Sequence, residues 1–281
     1  MIIRPMRPSD LDFAAACTTA EEWASETRRE FEGFFAYDPG GCFIAEKGGR
    51  PVGICIATGY GEFGFVGELI VIPAVRGRGI GRRLLEHAVE YLRTRGARAV
   101  YLDGVLAAVP LYERAGFRRV CRSWRFLGQI PGASHPDVRP MGARDMEAVA
   151  WLDRTAFGAD RRFFLERRLT LYPELCWVLE GDGEVRGFIT GRRGDDWVYT
   201  GPWVVRPDVE HPESLLERFA LEVGGSEFAI GVLETNEEAV AILHALSFEA
   251  RSESPWRMAL GAGDPVGSPA HVFAIGSAAK G

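Results

Sequence analysis

The chain has 281 residues, of which 47% are hydrophobic and 26% are charged, and its formal net charge is −6. This composition is typical of a globular protein, and the length favours two domains over a single core. The negative charge argues against a nucleic-acid partner, because affinity for phosphate backbones comes mainly from clustered Lys and Arg.

No run of apolar residues approaches the length needed to span a membrane, and the first ten residues contain Arg4, Arg7 and Asp10 rather than a signal-peptide core. We therefore expect a cytoplasmic protein with no membrane partner. The five cysteines include no Cys-x-x-Cys pair, and neither they nor the five histidines show the spacing of metal ligands. The sequence predicts small buried cysteines and no metal site.

An apolar strand is predicted at Leu69–Ile72. A helix follows it and carries Leu84, Leu85, Ala88 and Leu92 on one face at helical spacing.

The loop between this strand and this helix is rich in glycine and reads Arg76, Gly77, Arg78, Gly79, Ile80, Gly81. The first amides of a helix have no intrahelical partner and carry partial positive charge, so phosphate oxygens can bind there. Glycines let the backbone approach a phosphate closely, and Arg76 and Arg78 add full positive charge. The loop therefore predicts an anion site; the alternative is a tight turn whose arginines face water.

Two known phosphate loops do not fit this segment. No Gly-Lys-Ser or Gly-Lys-Thr closes the turn, which excludes a nucleotide triphosphate loop, and Arg82 stands where a dinucleotide-binding loop needs its third glycine. Further along, Ala99–Leu102 reads as a buried strand, and Pro110–Phe117 reads as a short helix and turn that contains Tyr112.

The loop resembles the acyl-CoA signature of the GNAT superfamily of N-acyltransferases, Arg/Gln-x-x-Gly-x-Gly/Ala after a strand, with Arg76, Gly79 and Gly81 at the required positions. The segment around Tyr112 resembles the late helix and turn of the same enzymes. The resemblance implies that acetyl-CoA is the co-substrate and that backbone amides from Arg76 to Arg82 hold its pyrophosphate. It also implies that the pantetheine arm runs along Leu69, Ile70 and Val71, with an amide near Val71 facing the thioester oxygen.

The resemblance also suggests catalytic roles. Tyr112 is the candidate acid for the leaving thiolate, because a phenol with a pKa of about 10 can donate a proton or a hydrogen bond. Glu68 is the candidate base for the attacking ammonium, since it begins the predicted strand and alternation places it on the face of Ile70. Glu62, Asp103 or a chain of water molecules are the alternatives. An aromatic cluster either caps the acceptor pocket or fills the core; its members are Trp23, Phe31, Phe34, Phe35 and Tyr37.

The chain also contains an eroded second copy of its first half. The segment Ile3–Met6 is echoed by Val138–Met141, and Phe43–Gly53 is echoed by Trp177–Gly187 in nearly the same register. We infer that one α/β unit occurs twice. A stretch of turn formers at Gly128–Pro136 separates the copies.

We therefore expect two tandem GNAT-like domains, at residues 1–127 and 137–281, each a mixed, mostly antiparallel sheet flanked by helices. The second copy lacks the anion loop, because Arg206–Glu213 has no glycine, two prolines and three carboxylates. Leucine takes the place of the tyrosine in its late helix. This pattern resembles bacterial tandem GNAT proteins whose second half carries a Gly-Pro-aromatic strand, here Gly201, Pro202 and Trp203.

The function predicted from the sequence is acetyl transfer from acetyl-CoA to the primary amine of a small molecule or peptide. The second domain is expected to wall the acceptor pocket or a homodimer interface. The alternatives are a sensor that binds acyl-CoA without catalysis and a scaffold that binds a partner protein.

Overall fold

The computed structural model describes residues 1–23, 26–194, 197–261 and 267–281. The chain divides into two compact units. Unit 1 contains Met1–Val120, a strand at Trp256–Gly261 and the residues Ala278–Lys280, and unit 2 contains the other described residues.

The strands and helices are numbered here in chain order. The first half of the chain forms β1 (Ile2–Pro5), α1 (Leu11–Ala20), α2 (Arg28–Tyr37), β2 (Cys42–Lys47), β3 (Arg50–Gly59), β4 (Phe63–Val71), α3 (Ile80–Thr94), β5 (Ala99–Gly104), α4 (Val109–Arg114) and β6 (Arg118–Gly128). The second half forms β7 (Val138–Pro140), α5 (Met146–Phe157), α6 (Arg162–Leu171), β8 (Cys176–Gly181), β9 (Glu184–Arg193), β10 (Val198–Val205), α7 (Glu213–Val223), β11 (Phe228–Leu233), α8 (Glu237–Ala245), β12 (Glu249–Ala250), β13 (Trp256–Gly261) and β14 (Val272–Ala274).

The sheet of unit 1 has the strand order β1-β2-β3-β4-β5-β13. Its neighbours are antiparallel except β4 and β5, which run parallel and pair only between Phe63–Phe65 and Ala99–Tyr101. Beyond Phe65 the two strands are no longer paired, and the region between the end of β4 and the end of β5 is called the cleft below. The fold is thus the predicted mixed, mostly antiparallel sheet.

Helix α3 packs on one face of this sheet because its apolar residues recur at helical spacing. Leu84, Leu85, Ala88 and Leu92 are fully buried, as the spacing predicted. The five cysteines are free and buried, which confirms that they are small core residues.

Unit 2 repeats this plan with the strand order β7-β8-β9-β10-β11-β6, and β10 and β11 are its parallel pair. A polar network shows the duplication at atomic detail. In unit 1, Arg4 Nη1 donates to Asp10 Oδ2 at 2.7 Å, and in unit 2, Arg139 Nη1 donates to Asp145 Oδ2 at 2.8 Å. Each arginine also binds a glutamate of the neighbouring strand. The internal repeat inferred from the sequence is therefore present in the fold.

One strand of each half lies in the sheet of the other unit. β6 pairs with β11 in unit 2, and β13 pairs with β5 in unit 1. The units consequently differ from the predicted division into residues 1–127 and 137–281 at these two strands. A local pattern shows that a segment is a strand but not which edge it pairs with, so the sequence did not reveal this exchange.

Candidate active site

The glycine-rich loop forms the start of helix α3. Gly77 and Gly79 both have positive φ, 74° and 75°, which favours glycine at these positions. Gly79 is the residue that caps the helix, and the Arg83 amide donates the first backbone bond to its carbonyl at 3.2 Å. No described heavy atom lies within 4 Å of an ideal Cβ at Gly77 or Gly79. The backbone at Gly77 and Gly79 thus borders open space, which leaves room for an anion beside the start of the helix.

The two loop arginines do not behave alike. The Arg76 Nε donates to the Val71 carbonyl at 2.7 Å, and its guanidinium is also ion-paired with Glu21. Arg76 therefore ties the loop to the end of β4, whereas the sequence suggested that it only adds charge at the rim. Arg78 is exposed, as expected for a residue at the rim.

Strand β4 is longer than predicted and contains a bulge. Glu68 is the sixth of its nine residues rather than the first, and its φ of 49° is unusual for a residue other than glycine. The register with β3 shifts at this point, from Ile56 opposite Gly67 to Ile54 opposite Ile70.

In a regular strand the side chains alternate between the two faces of the sheet, and this alternation predicted that Glu68 and Ile70 share a face. The bulge breaks the alternation. Val66 and Val71 pack in the same core cluster although an odd number of positions separates them. That cluster contains Tyr112 and Cys55, whereas Ile70 is not part of it.

One hydrogen bond shows which backbone amides of β4 point away from β3 beyond the bulge. The Ile72 amide donates to the Val52 carbonyl of β3 at 3.0 Å. Backbone groups of adjacent residues point to opposite edges of a strand, so the Val71 amide points away from β3, toward the cleft. An extended ligand could add to this edge as a further strand.

Tyr112 lies on α4 and is 7% exposed, with its ring against Phe117. Burial, with smaller contributions from Cys55 and Glu68, raises the pKa of its phenol well above 10. Among the described residues, none forms a hydrogen bond with the Tyr112 hydroxyl, which therefore remains a donor for a ligand.

The two alternative bases are differently placed. Glu62 precedes β4, its side chain is 79% exposed and it faces Arg98 at 3.7 Å, far along the strand from the bulge. Asp103 is buried, and the Arg257 Nε donates to its Oδ1 at 2.5 Å. Asp103 is thus already engaged in a buried ion pair with Arg257.

The aromatic cluster of α2 is largely core. Phe31 and Phe34 are 1% and 2% exposed. The Lys280 ammonium lies 4.8 Å from the Phe34 ring centroid and 2.9 Å from Glu30 Oε2. Sequence reasoning gave no role to Lys280, although it is one of two lysines in the chain.

Unit 2 does not reproduce the site. The segment before α7 carries Asp208, which pairs with Arg186 at 2.9 Å, and the helix is capped by Pro212. In α8, Leu243 occupies the place of Tyr112, because the Phe248 amide donates to its carbonyl at 2.9 Å just as the Phe117 amide donates to Tyr112 at 3.0 Å.

The cleft of unit 2 is occupied by the chain itself. β10 pairs with β11 only over Val198–Thr200. Beyond this point β14 pairs with Trp203 and Val204 of β10, and the Ile275 amide that follows β14 donates to Gly231 of β11 at 2.9 Å. The position equivalent to the open edge of β4 is thus filled by a strand.

Within the described residues, no helix combines the length and the apolar character needed to cross a bilayer. Over the same ranges, no three His, Cys, Asp or Glu side chains gather as metal ligands would.

Comparisons with known proteins agree with this architecture. The model of the acetyltransferase (GNAT) family matches residues 10–117, and a second acetyltransferase (GNAT) domain model matches residues 149–274. An uncharacterized N-acetyltransferase of Methanocaldococcus jannaschii is 35% identical over 116 residues, which cover 37% of this chain and 50% of that protein. The mycothiol acetyltransferase of Thermobispora bispora is 40% identical over 102 residues, covering 33% of this chain and 34% of that protein.

The match therefore spans half or less of the length of these two relatives. A crystal structure described as an acetyltransferase of Pyrococcus horikoshii superposes with a TM-score of 0.83 at 24% identity, covering 100% of this chain and 95% of that one. With both halves matched by family models and the duplicated fold in place, the chain belongs to the GNAT acetyltransferase family as a tandem, two-domain member.

Proposed function

We propose that the protein transfers the acetyl group of acetyl-CoA to the primary amine of a small molecule, and that unit 1 performs the reaction. Membership of the family supports an acyl-CoA donor. A small acceptor is supported by the mycothiol acetyltransferase relative, whose name gives a small-molecule substrate.

The observation that carries the proposal is the cleft of unit 1. The proposal is supported by a glycine-capped helix start, a strand edge beyond a bulge and a buried phenol in unit 1, whereas the corresponding positions of unit 2 hold Pro212, β14 and Leu243. Of the two units with this fold, unit 1 has these features and the corresponding positions of unit 2 do not. This difference is expected if the features bind a ligand and are not needed for folding.

In the proposed reaction, backbone amides from Gly77 to Arg82 bind the pyrophosphate, and the edge at Leu69–Val71 binds the pantetheine arm. The Val71 amide donates to the thioester oxygen and stabilises negative charge as the amine attacks. A bond forms between the amine nitrogen and the acetyl carbon, and the bond from that carbon to sulfur breaks. Glu68 accepts the proton of the ammonium, and Tyr112 donates to the thiolate that leaves.

The proposal is tested by measuring thiol release from acetyl-CoA in the presence of a panel of primary amines, with binding of acetyl-CoA followed in parallel by calorimetry. We expect release that depends on the amine and a mass increase of one acetyl group on that amine. Tight binding without turnover of any amine would instead indicate a sensor, and absence of acetyl-CoA binding would leave only a scaffold role.

A further inference from the structure

Arg257 belongs to unit 1, although it lies in the second half of the sequence. Arg257 lies on β13, directly opposite Asp103 of β5. Its Nε donates to Asp103 Oδ1 at 2.5 Å, and its side chain is 9% exposed. The pair is therefore a buried ion pair.

The guanidinium of Arg257 lies where β4 and β5 cease to pair. Its central carbon is 5.0 Å from the ring centroid of Phe65, and Phe65 is the last residue of β4 that pairs with β5. The neighbour of Asp103, Gly104, is so close to Tyr112 that an ideal Cβ there would lie 2.9 Å from the tyrosine ring. Adjacent strand residues point to opposite faces, so Asp103 and Arg257 lie on the face of the sheet away from Tyr112, beside Phe65, where the pairing of β4 with β5 ends.

The terminal nitrogens of Arg257 carry N–H groups that can still donate hydrogen bonds. A guanidinium carries five N–H donors and no acceptor. Over the described ranges, Nε is the only one of its three nitrogens that is hydrogen-bonded to a protein atom, and Nη2 is buried without a partner. Buried donors gain stability when an acceptor oxygen reaches them, so a ligand in the cleft that supplies such an oxygen is favoured.

We propose that Arg257 is a specificity-determining residue for the acceptor, and that the acceptor is a primary amine that carries an uncharged oxygen acceptor, such as an amide or ester carbonyl, close to the amine. This inference rests on the proposed acetyl transfer in unit 1. The oxygen is uncharged because Asp103 already compensates Arg257, and Glu68 is a further acidic residue on the neighbouring strand. A ligand carboxylate beside these two acidic residues would be repelled.

The test compares amines with and without a carboxamide group next to the amine. The first pair is L-phenylalaninamide and 2-phenylethylamine, and the second is glycinamide and methylamine. For wild-type protein we expect a kcat/KM at least tenfold higher for the amide member of the pair that is turned over faster, because a hydrogen bond to a charged donor is lost with the other member.

Arg257→Lys retains the charge opposite Asp103 but has no forked donors. We expect this variant to reduce the preference for the amide to about twofold or less while KM for acetyl-CoA stays within about twofold. Arg98→Lys is the matched control, since Arg98 is 78% exposed and lies at the other end of β4. The control is expected to retain the preference of the wild type.

The inference is overturned if wild-type protein does not prefer the amides, if it prefers free L-phenylalanine to its amide, or if Arg257→Lys slows both members of a pair equally. If no amine is turned over, the proposed function fails, and the same pairs are then titrated into the protein saturated with CoA. Tighter binding of an amide that Arg257→Lys abolishes would support the role of Arg257, and equal or absent binding of both members would reject it.

Discussion

Tyr112 and Leu243 occupy equivalent positions in the two units, and the hydroxyl is the chemical difference between them. Both side chains are buried, and the backbone carbonyl of each residue accepts a hydrogen bond from the amide of the phenylalanine five residues later. Since leucine fills this position in a folded unit, the fold does not require a phenol there. The phenol of Tyr112 is therefore better explained by chemistry than by packing.

We predict that Tyr112→Phe lowers kcat by about 100-fold, which is the lower end of the effect of a general acid, with KM for acetyl-CoA unchanged. Because the pKa of Tyr112 is raised above 10, its phenol stays protonated over the usual assay range. The wild-type rate should accordingly show no decline from tyrosine ionisation up to about pH 10. Steady-state kinetics between pH 6 and pH 10 measure both effects.

Tyr91→Phe is the control for this variant, because Tyr91 lies on α3 and its hydroxyl donates to Asp38 at 2.7 Å, away from the cleft. Its kcat is expected to match the wild type. A Tyr112→Phe enzyme with full kcat would show that the tyrosine only packs.

The ion pair between Asp10 and Arg4 is expected to stabilise the fold less at acidic pH. The hydrogen bonds of Asp10 with Arg4 lower the pKa of its carboxyl, so this stabilisation is present above the unfolded value of about 3.9 and is lost as the pH falls through the folded value. We expect Asp10→Asn to reduce the free energy of unfolding by about 1 kcal/mol at pH 7 and by clearly less at pH 3. Urea unfolding at the two pH values measures the difference.

The control is Asp12→Asn, because the Asp12 side chain is 78% exposed and its pair with Arg28 lies on the surface. An equal loss for Asp10→Asn at both pH values would contradict the assigned ionisation.

At the scale of elements, the start of α3 is the feature on which coenzyme binding depends. We predict that Gly79→Asp weakens binding of acetyl-CoA by about 2 kcal/mol or more, because a carboxylate would stand at amides that hold a diphosphate. Gly49→Asp is a close control, since Gly49 has a φ of 73° and equally open surroundings in the turn between β2 and β3. Both variants carry the same backbone strain, so calorimetry isolates the effect of position. Unchanged affinity in Gly79→Asp would refute the anion site.

The sequence predicted the elements whose pattern is local. The apolar face of α3 and the strand at Ala99–Leu102 follow from short-range chemistry and are present in the fold. The bulge at Glu68 was not predicted, because a bulge depends on the register with β3 and not on the residues of β4 alone. The contribution of Arg257 was not predicted either, since it follows from a long-range strand pairing.

At the scale of the whole molecule, the two units have the same plan but are not equivalent as binding sites. Unit 2 has Asp208 near its helix start, and β14 fills its cleft. We predict that calorimetric titration gives one acetyl-CoA per chain and that Gly79→Asp abolishes that single event. A second binding event retained in the variant would show that unit 2 also binds the coenzyme.

The exchange of β6 and β13 makes each unit depend on both halves of the chain. A fragment of residues 1–127 would lack β13, so the edge of β5 would be unpaired, and its β6 would lack β11. Unpaired edges associate with other strands, so we expect this fragment alone to aggregate or to form dimers instead of a folded monomer. Coexpression with residues 137–281 should restore a soluble complex, because both pairings can then form. Size-exclusion chromatography and thermal melts of the fragment, alone and coexpressed, measure this. A monomeric fragment with a cooperative melt would show that the first half folds without the strand from the second.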